Sequence, residues 1–187
     1  MRAEYENVLD DHLGKIHFTY VNTWDELLPA HWHEHLEIIY VLGGEITASI
    51  NDVSYELKKG DIFLVNSNDI HYTYTHEDAR YYLLQIPPVH LERISAKWEG
   101  LKFQEFIRSK SADACVQGEQ LENVQGKGLI EMRENRKSTN RADDLYDQLR
   151  DVFRKIAGFY EEKKEGYHLL VLSAVYRLLY FLYTEGI

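Results

Sequence analysis

The sequence has little of what disulfide-bonded, secreted or membrane-spanning proteins need. Its 187 residues include one cysteine, Cys115, so no disulfide can form within the chain, which is typical of a reducing compartment. The charged start of the chain lacks the apolar core of a signal peptide. The most apolar stretch, 169–183, is interrupted by Arg177 and is shorter than the roughly 20 residues that a membrane span needs. These absences predict a soluble, cytoplasmic protein with no membrane partner.

Positive charge and the common catalytic motifs are scarce as well. The chain carries 21 Lys and Arg residues against 31 Asp and Glu residues, which gives a formal net charge of −10. Such a charge disfavours contact with a phosphate backbone, so the chain is not predicted to bind nucleic acid by itself. The sequence contains no G-x-S-x-G elbow, no P-loop and no G-x-G-x-x-G turn, and Cys115 has no histidine near it in sequence.

The first half of the chain, residues 1–88, predicts a β-rich domain. Short runs of alternating polar and apolar residues are separated by glycine, asparagine and aspartate turns. Gly43 and Gly44 are interpreted as a hairpin turn, and residues 22–30 as a break between strands. About seven or eight short strands of this kind are typical of an antiparallel sandwich or barrel. The predicted strands cover residues 16–20, 31–42, 45–50, 53–57, 62–65, 70–75 and 80–86.

The second half, residues 89–187, predicts helices packed on that domain. Residues 90–107 have a broken helical spacing, and an antiparallel helical hairpin divided by Gly166 is predicted at 143–185. One side of the hairpin can rest on the barrel, while the other meets a second subunit in a homodimer. The alternative is a hairpin covered entirely by its own chain. The predicted dimerisation stripe consists of Leu145, Leu149, Val152 and Ile156.

A histidine cluster at residues 31–37 is the strongest local signal in the sequence. Side chains of equal parity share one face of a strand, so His31, His33 and Glu37 would point to the side that Ile39 and Val41 fill. Burying imidazoles and a carboxylate is costly unless each finds a partner, a metal or a ligand. The cluster therefore predicts the mouth or the floor of a pocket.

The run His31-x-His33-x3-Glu37-x6-Gly44 resembles the first motif of the cupin superfamily, apart from the glycine upstream. Gly60 and His71 match the second motif in spacing, whereas other positions of that motif differ. The resemblance implies a mainly β fold with a C-terminal α part: a cupin-type double-stranded β-helix, or jelly-roll barrel, followed by the helical hairpin. The positions that differ are Asn66, Asn68 and Thr75, which replace proline, glycine and asparagine.

Within the cupins, the chain is most similar to the N-terminal part of AraC-type transcription regulators. This resemblance rests on the histidine cluster, on Tyr55-Glu-Leu-Lys-Lys-Gly-Asp-Ile-Phe-Leu-Val-Asn, and on Asn68-Asp-Ile-His71. It implies a small-molecule effector, with a sugar as one class, a homodimer, and DNA contact only through a helix-turn-helix domain. No such domain is recognised in this sequence, so either a sensor domain or a free-standing cupin is expected.

The same resemblance places all four cupin metal-ligand positions at His31, His33, Glu37 and His71. Imidazole and carboxylate donors together suit a divalent metal such as Zn, Fe, Mn or Ni. The alternative is that the histidines line a pocket and bind an organic effector directly, with no cofactor required. Three other histidines, His17, His76 and His90, lack such a pattern and are predicted at the surface.

Aromatic residues beside these strands suggest a pocket wall, since aromatic faces stack on sugar C–H groups. Four of them are predicted to take part in ligand binding: Tyr20, Trp24, Trp32 and Tyr40. Two functions follow as hypotheses. The first is a sensing and dimerisation domain without catalytic activity, and the second is a metal-dependent cupin enzyme, an oxygenase or an isomerase.

Overall fold

The computed structural model describes residues 3–8, 14–76, 78–94, 101–107 and 132–185. Within these residues the chain forms two five-stranded sheets that face one another, followed by a pair of long helices. The strands are β1 (Glu4–Tyr5), β2 (His17–Thr23), β3 (Glu26–Trp32), β4 (Leu36–Gly43), β5 (Glu45–Ile50), β6 (Val53–Lys58), β7 (Ile62–Val65), β8 (His71–Thr75), β9 (Ala79–Ile86) and β10 (Phe106–Ile107). The helices are α1 (Pro88–Leu91), α2 (Met132–Glu162) and α3 (Tyr167–Glu185).

The two sheets have different surroundings. The first has the order β1-β3-β8-β5-β6 and the second the order β10-β7-β4-β9-β2. All pairs are antiparallel except β1 with β3, which is parallel. We call the space between them the barrel interior. Its apolar part is filled by Ile39, Val41, Ile46, Ala48, Ile50, Leu57, Phe63, Val65 and Ala79.

The outer face of the second sheet is covered by the helical pair. Successive side chains of a strand point to opposite faces of the sheet. In β4, for example, Ile38 packs toward the helices, while Ile39 packs inside the barrel. The predicted hairpin is confirmed in outline, since a short loop ending at Gly166, with a φ of 78°, joins α2 to α3. No helix in the described part of the chain is long and apolar enough to span a bilayer.

The stripe predicted for dimerisation lies inside the chain's own core, and this prediction is corrected. Its members are between 0% and 4% exposed and pack with apolar residues of the second sheet and of α3. The stripe is the apolar side of an amphipathic helix, and the nearest uncovered apolar surface is the chain's own sheet. The four residues are Leu145, Leu149, Val152 and Ile156.

Two turns differ from their predictions in an instructive way. Residues 26–30 belong to β3 although Pro29 lies among them; a register shift between Leu28 and His31 accommodates the proline, which has no N–H to donate. Gly44 does not close a hairpin, because β4 and β5 lie in different sheets. With a φ of 73°, it carries the chain from one sheet to the other.

The described residues between 88 and 107, namely 88–94 and 101–107, are less helical than predicted. The helix α1 covers four residues, and β10 adds a strand to the edge of the second sheet beside β7. His90, predicted at the surface, is 5% exposed, and its two ring nitrogens bond to the Tyr176 hydroxyl and the Gly14 carbonyl. Cys115, the predicted loop at 108–128 and the first part of the short helix predicted at 128–136 lie outside the described residues.

Candidate functional site

Three histidines meet in the barrel interior from two strands and the turn that follows one of them. His31 lies near the end of β3, His33 follows in the turn to β4, and His71 begins β8. Antiparallel pairing places His31 directly opposite His71. The three side chains are between 1% and 7% exposed. The strand predicted over 31–42 is interrupted at residues 33–35, yet the parity prediction holds for His31, His33 and Glu37, which all lie inside.

Each imidazole is oriented by a backbone carbonyl close to it in the chain. The Nδ1 atoms of His31, His33 and His71 lie 2.8, 3.1 and 3.0 Å from the carbonyl oxygens of Pro29, His35 and Asp69. A carbonyl oxygen only accepts, so each Nδ1 carries the proton and donates it. The Nε2 atoms consequently face the interior, and one nitrogen from each ring lies within 4.8 Å of the others.

Glu37 is the buried carboxylate of this cluster. Its Oε2 accepts hydrogen bonds from His33 Nε2 at 3.1 Å and from Gln85 Nε2 at 2.9 Å. Burial acts to raise the pKa of Glu37, but the hydrogen bonds from His33 and Gln85 and the nearby His71 and His33 charges lower it to about 2. Glu37 is therefore an ionised group at the floor of the barrel.

The pKa values of the two histidines nearest Glu37 are shifted in opposite directions. Burial acts to lower the pKa of His33, but the Glu37 hydrogen bond and the charges of Glu37 and Glu6 together raise it. For His71, burial lowers the pKa and outweighs the charge of Glu37, which lies 3.8 Å from its Nε2. His33 thus shares a proton with the carboxylate, while His71 presents a neutral ring nitrogen.

A cavity of about 300 Å³ adjoins this cluster inside the barrel. Its described lining contains no Lys or Arg, but it contains two carboxylates, two amides and a phenol from distant parts of the chain. Burial, with Glu37 and Glu26 nearby, raises the pKa of the Tyr81 phenol to about 12, so Tyr81 is a neutral donor at ordinary pH. The lining consists of Glu6, Asn7, Val8, His17, Leu28, Glu37, Ile39, Thr73, Tyr81, Leu83 and Gln85.

The donors present fit a divalent first-row metal. Ligating histidines usually donate their second ring nitrogen to a carbonyl or carboxylate, which is how all three rings are held here. The Nε2 atoms of His31 and His71 are buried and have no hydrogen-bond partner. A buried acceptor without a partner is unfavourable, and a bound cation or a donor from a ligand would relieve it.

The aromatic residues predicted to bind ligand lie elsewhere, and this part of the prediction is corrected. Tyr20 and Trp24 are 51% and 66% exposed, and the Tyr20 ring lies edge-on to Tyr82 on the outer face of the second sheet. Tyr40 faces α2 and lies 5.5 Å from the Phe153 ring, beside a separate outer cavity. Trp32 lies edge-on to Tyr5 at 4.9 Å. The prediction assumed that strand aromatics face inward, whereas even-numbered positions of β2 and β4 face outward.

The family model for the AraC-like ligand-binding domain matches residues 14–179. The chain belongs to this family. The match confirms the resemblance seen in the histidine cluster, and it spans both the barrel and the hairpin of this AraC-like ligand-binding domain. No curated protein matches the chain.

Solved cupin structures share the barrel of this AraC-like ligand-binding domain. They include an RmlC-like cupin from Shewanella frigidimarina NCIMB 400 (20% identity, TM-score 0.37, 38% of this chain and 66% of that one). KdgF from Halomonas sp. is 23% identical, with a TM-score of 0.37 over 38% of this chain and 68% of that one. A double-stranded β-helix cupin from Methanocaldococcus jannaschii is 18% identical, with a TM-score of 0.37 over 41% of this chain and 75% of that one. The chain spans about two thirds of the first of these structures. The family match, the two facing sheets and the C-terminal helices confirm the predicted cupin-type double-stranded β-helix with a helical part after it.

Glu6, Tyr81 and Gln85 line the cavity but are not among the residues predicted from the sequence. For Gln85 a signal exists: it follows Tyr81 and Leu83 at inward-facing, odd-numbered positions of β9, as a polar group among larger apolar ones. Tyr81 shares this parity. For Glu6 no sequence signal exists, because its position depends on a parallel pairing with β3 that local pattern does not specify.

Proposed function

We propose that this chain is the small-molecule sensing and dimerisation module of an AraC-type transcription regulator, with its effector in the barrel cavity. The observation that carries the proposal is a cavity of about 300 Å³ beside buried His31, His33, Glu37 and His71 in a chain of a ligand-binding family. Pockets for small molecules begin at about this size. In such a regulator, a helix-turn-helix domain would make the contact with DNA.

The cavity chemistry favours an uncharged, hydroxyl-rich effector such as a sugar. Gln85 and Tyr81 can donate hydrogen bonds, and Glu37 can accept them. The apolar side chains of Leu28 and Leu83 can cover the C–H face of such a ligand. Two carboxylates without Lys or Arg in the described lining would repel an organic anion.

A thermal-shift comparison of neutral monosaccharides with sugar acids tests the proposal. At 100 times its Kd a ligand stabilises the folded state by about 2.7 kcal/mol, which corresponds to roughly 5–10 °C for a chain of this size. A neutral sugar should raise the melting temperature of wild type but not that of His71→Asn. The control is His76→Asn, whose histidine bonds to Thr47 at the barrel exterior; its melting temperature should rise as in wild type. Equal shifts in all three proteins, or shifts with sugar acids alone, would contradict the proposed site.

Dimerisation is assigned to the exposed side of α3 instead of the α2 stripe. Leu169, Tyr180 and Tyr183 are 63%, 61% and 41% exposed. Their spacings of about three and four helical turns place them on one side of the helix. An apolar patch of this kind typically marks an interaction surface, and the helix belongs to the segment that the resemblance links to dimerisation.

A metal-dependent cupin enzyme is the second candidate function. The observation that favours it is the convergence of three carbonyl-anchored imidazoles within 4.8 Å beside an ionised Glu37. A divalent metal held by His31, His33, His71 and Glu37 would supply Lewis-acid activation of a substrate oxygen. Elemental analysis of protein purified without an affinity tag tests this candidate. Near-stoichiometric metal that a His33→Ala/His71→Ala variant loses would support it, and metal-free protein would count against it.

A further inference from the structure

The N-terminal segment, residues 3–8, is held against the barrel by local contacts. The strand β1 pairs in parallel with β3, so that Glu4 lies opposite His31 and Tyr5 opposite Trp32. The Glu6 N–H donates to the Trp32 carbonyl at 3.0 Å, and the Tyr5 ring contacts the Trp32 ring edge-on. These contacts fix where the side chain of Glu6 begins relative to the histidines.

The Glu6 carboxylate reaches the histidine cluster from the side of the mouth. Its Oε2 lies 3.6 Å from His31 Nε2 and 3.8 Å from His33 Nε2. The same oxygen accepts a hydrogen bond from Gln85 Nε2 at 3.4 Å, and Gln85 also donates to Glu37. Gln85 therefore holds the two carboxylates on neighbouring sides of the imidazoles.

The two carboxylates differ in how freely they could coordinate a metal. Glu37 is 3% exposed and is engaged by both His33 and Gln85. The Glu6 side chain is 37% exposed, its hydrogen bond from Gln85 is long at 3.4 Å, and it faces His31 Nε2, which has no hydrogen-bond partner. Glu6 is consequently the carboxylate that can move to bind a metal with the least loss of existing hydrogen bonds.

The charge of the site also calls for a cation. Two carboxylates face the three imidazoles, and the described cavity lining holds no Lys or Arg that could balance them. A divalent cation held by neutral imidazoles would bring the charge of the group to zero. Oxygen and imidazole donors in such a mixture are typical of first-row divalent metals.

We propose that Glu6 is a protein donor to a divalent metal held by His31, His33 and His71, and that metal binding thereby fastens the N-terminal segment to the barrel. The inference rests on the metal-holding form of the candidate site. It assigns to the N-terminal segment, whose residues Glu6, Asn7 and Val8 line the cavity, a second role: the segment supplies a metal ligand, so the order of residues 3–8 depends on whether the metal is bound.

Titration of the metal-free full chain with Zn²⁺ by calorimetry tests the assignment. Glu6→Gln keeps the shape of the side chain and removes its charge, and Glu4→Gln makes the same charge change at an exposed residue of the same N-terminal segment. We expect a roughly 10–100-fold weaker Zn²⁺ affinity in Glu6→Gln, no change in Glu4→Gln, and an intermediate affinity in Glu6→Asp. An affinity unchanged in Glu6→Gln, or lowered equally in Glu4→Gln, would overturn the proposal.

Hydrogen exchange of the backbone amides in residues 3–8 gives a second readout that does not depend on affinity. Zn²⁺ at saturation should slow exchange there in wild type and in Glu4→Gln, but not in Glu6→Gln. Equal slowing in all three proteins would refute the role of Glu6. The metal assignment fails if wild type binds no Zn²⁺, or if His71→Asn binds Zn²⁺ as tightly as wild type does. In either case the sugar-dependent thermal shift would still report on the sensing function.

Discussion

Each imidazole of the barrel site is set by a carbonyl two residues away in the chain. His31 and His71 donate backward to Pro29 and Asp69, and His33 donates forward to the His35 carbonyl. Because these partners are local, the rings keep their orientation without a ligand. The Nε2 atoms of His31 and His71, which have no hydrogen-bond partner, are therefore oriented for a ligand before it arrives, which lowers the entropy that binding must offset.

The buried phenol of Tyr81 should make the protein sensitive to alkaline pH. Its pKa is about 12 in the folded state and near 10 in the unfolded state, so between these values the unfolded chain binds fewer protons and stability falls as pH rises. Relative to pH 8, wild type should lose about 2 kcal/mol more than Tyr81→Phe by pH 12. Urea unfolding at a series of pH values measures this, and identical pH profiles for the two proteins would contradict it.

Substitution of two glycines by alanine should change the free energy of unfolding in opposite directions. At Gly44, with a φ of 73°, an added Cβ would lie 2.5 Å from the Asp78 carbonyl oxygen, so Gly44→Ala should destabilise the fold by about 1–3 kcal/mol. At Gly158 in α2 an added Cβ meets nothing within 4 Å, so Gly158→Ala should stabilise by about 0.5–1 kcal/mol through helix propensity. Urea denaturation of both variants checks the pair. A stable Gly44→Ala would show that the turn can relax.

At this scale, part of the site could be predicted and part could not. Strand parity places His31, His33 and Glu37 inside, and the motif spacing adds His71. The approach of Glu6 to His31 results from the pairing of strands far apart in sequence. Local periodicity carries no information about such pairings.

At the scale of elements, the hairpin of α2 and α3 covers the second sheet on the side away from the cavity. Leu149 is 1% exposed within this interface, whereas Lys155 on the same helix is exposed. Leu149→Ala should therefore cost about 2–5 kcal/mol of unfolding free energy, whereas Lys155→Ala should change it by less than about 0.5 kcal/mol. Chemical denaturation distinguishes the two, and a mild effect of Leu149→Ala would place α2 away from the sheet.

Element types followed from sequence wherever turn chemistry and periodicity agreed. Asn51 and Asp52, with φ values of 46° and 71°, form the predicted tight turn between β5 and β6. The strand around Pro29 was not predicted, because proline usually interrupts a strand and here a bulge accommodates it. The partner of β4 across Gly44 was predicted wrongly, since a turn signal does not tell whether the chain returns to the same sheet.

At the scale of the whole molecule, the strands β4 and β9 connect the cavity with the hairpin. Glu37 and Gln85 face the cavity, while their neighbours Ile38 and Leu84 pack with the helices. A ligand that shifts either strand would therefore disturb the packing under α2 and α3. This arrangement gives effector binding a physical route to the surface assigned to dimerisation.

The assignment of the dimer surface predicts a difference between two exposed apolar sites. Leu169→Asp on α3 should convert a dimer to a monomer, because a charge in an apolar interface is unfavourable. Val53→Asp, at a residue that is 54% exposed on the first sheet, should leave the dimer intact. Light scattering coupled to size exclusion measures the mass of both variants. A dimeric Leu169→Asp would rule out this side of α3.

The central claim is that the buried cluster around Glu37 is where this AraC-like domain recognises its ligand. The most direct measurement is the binding isotherm of the best-stabilising sugar to wild type and to Glu37→Gln, a variant of equal shape. The account predicts a Kd that is at least about tenfold weaker in Glu37→Gln, because a hydrogen bond to a charged group contributes about 1.5–3 kcal/mol. An unchanged Kd would show that the ligand binds outside the barrel.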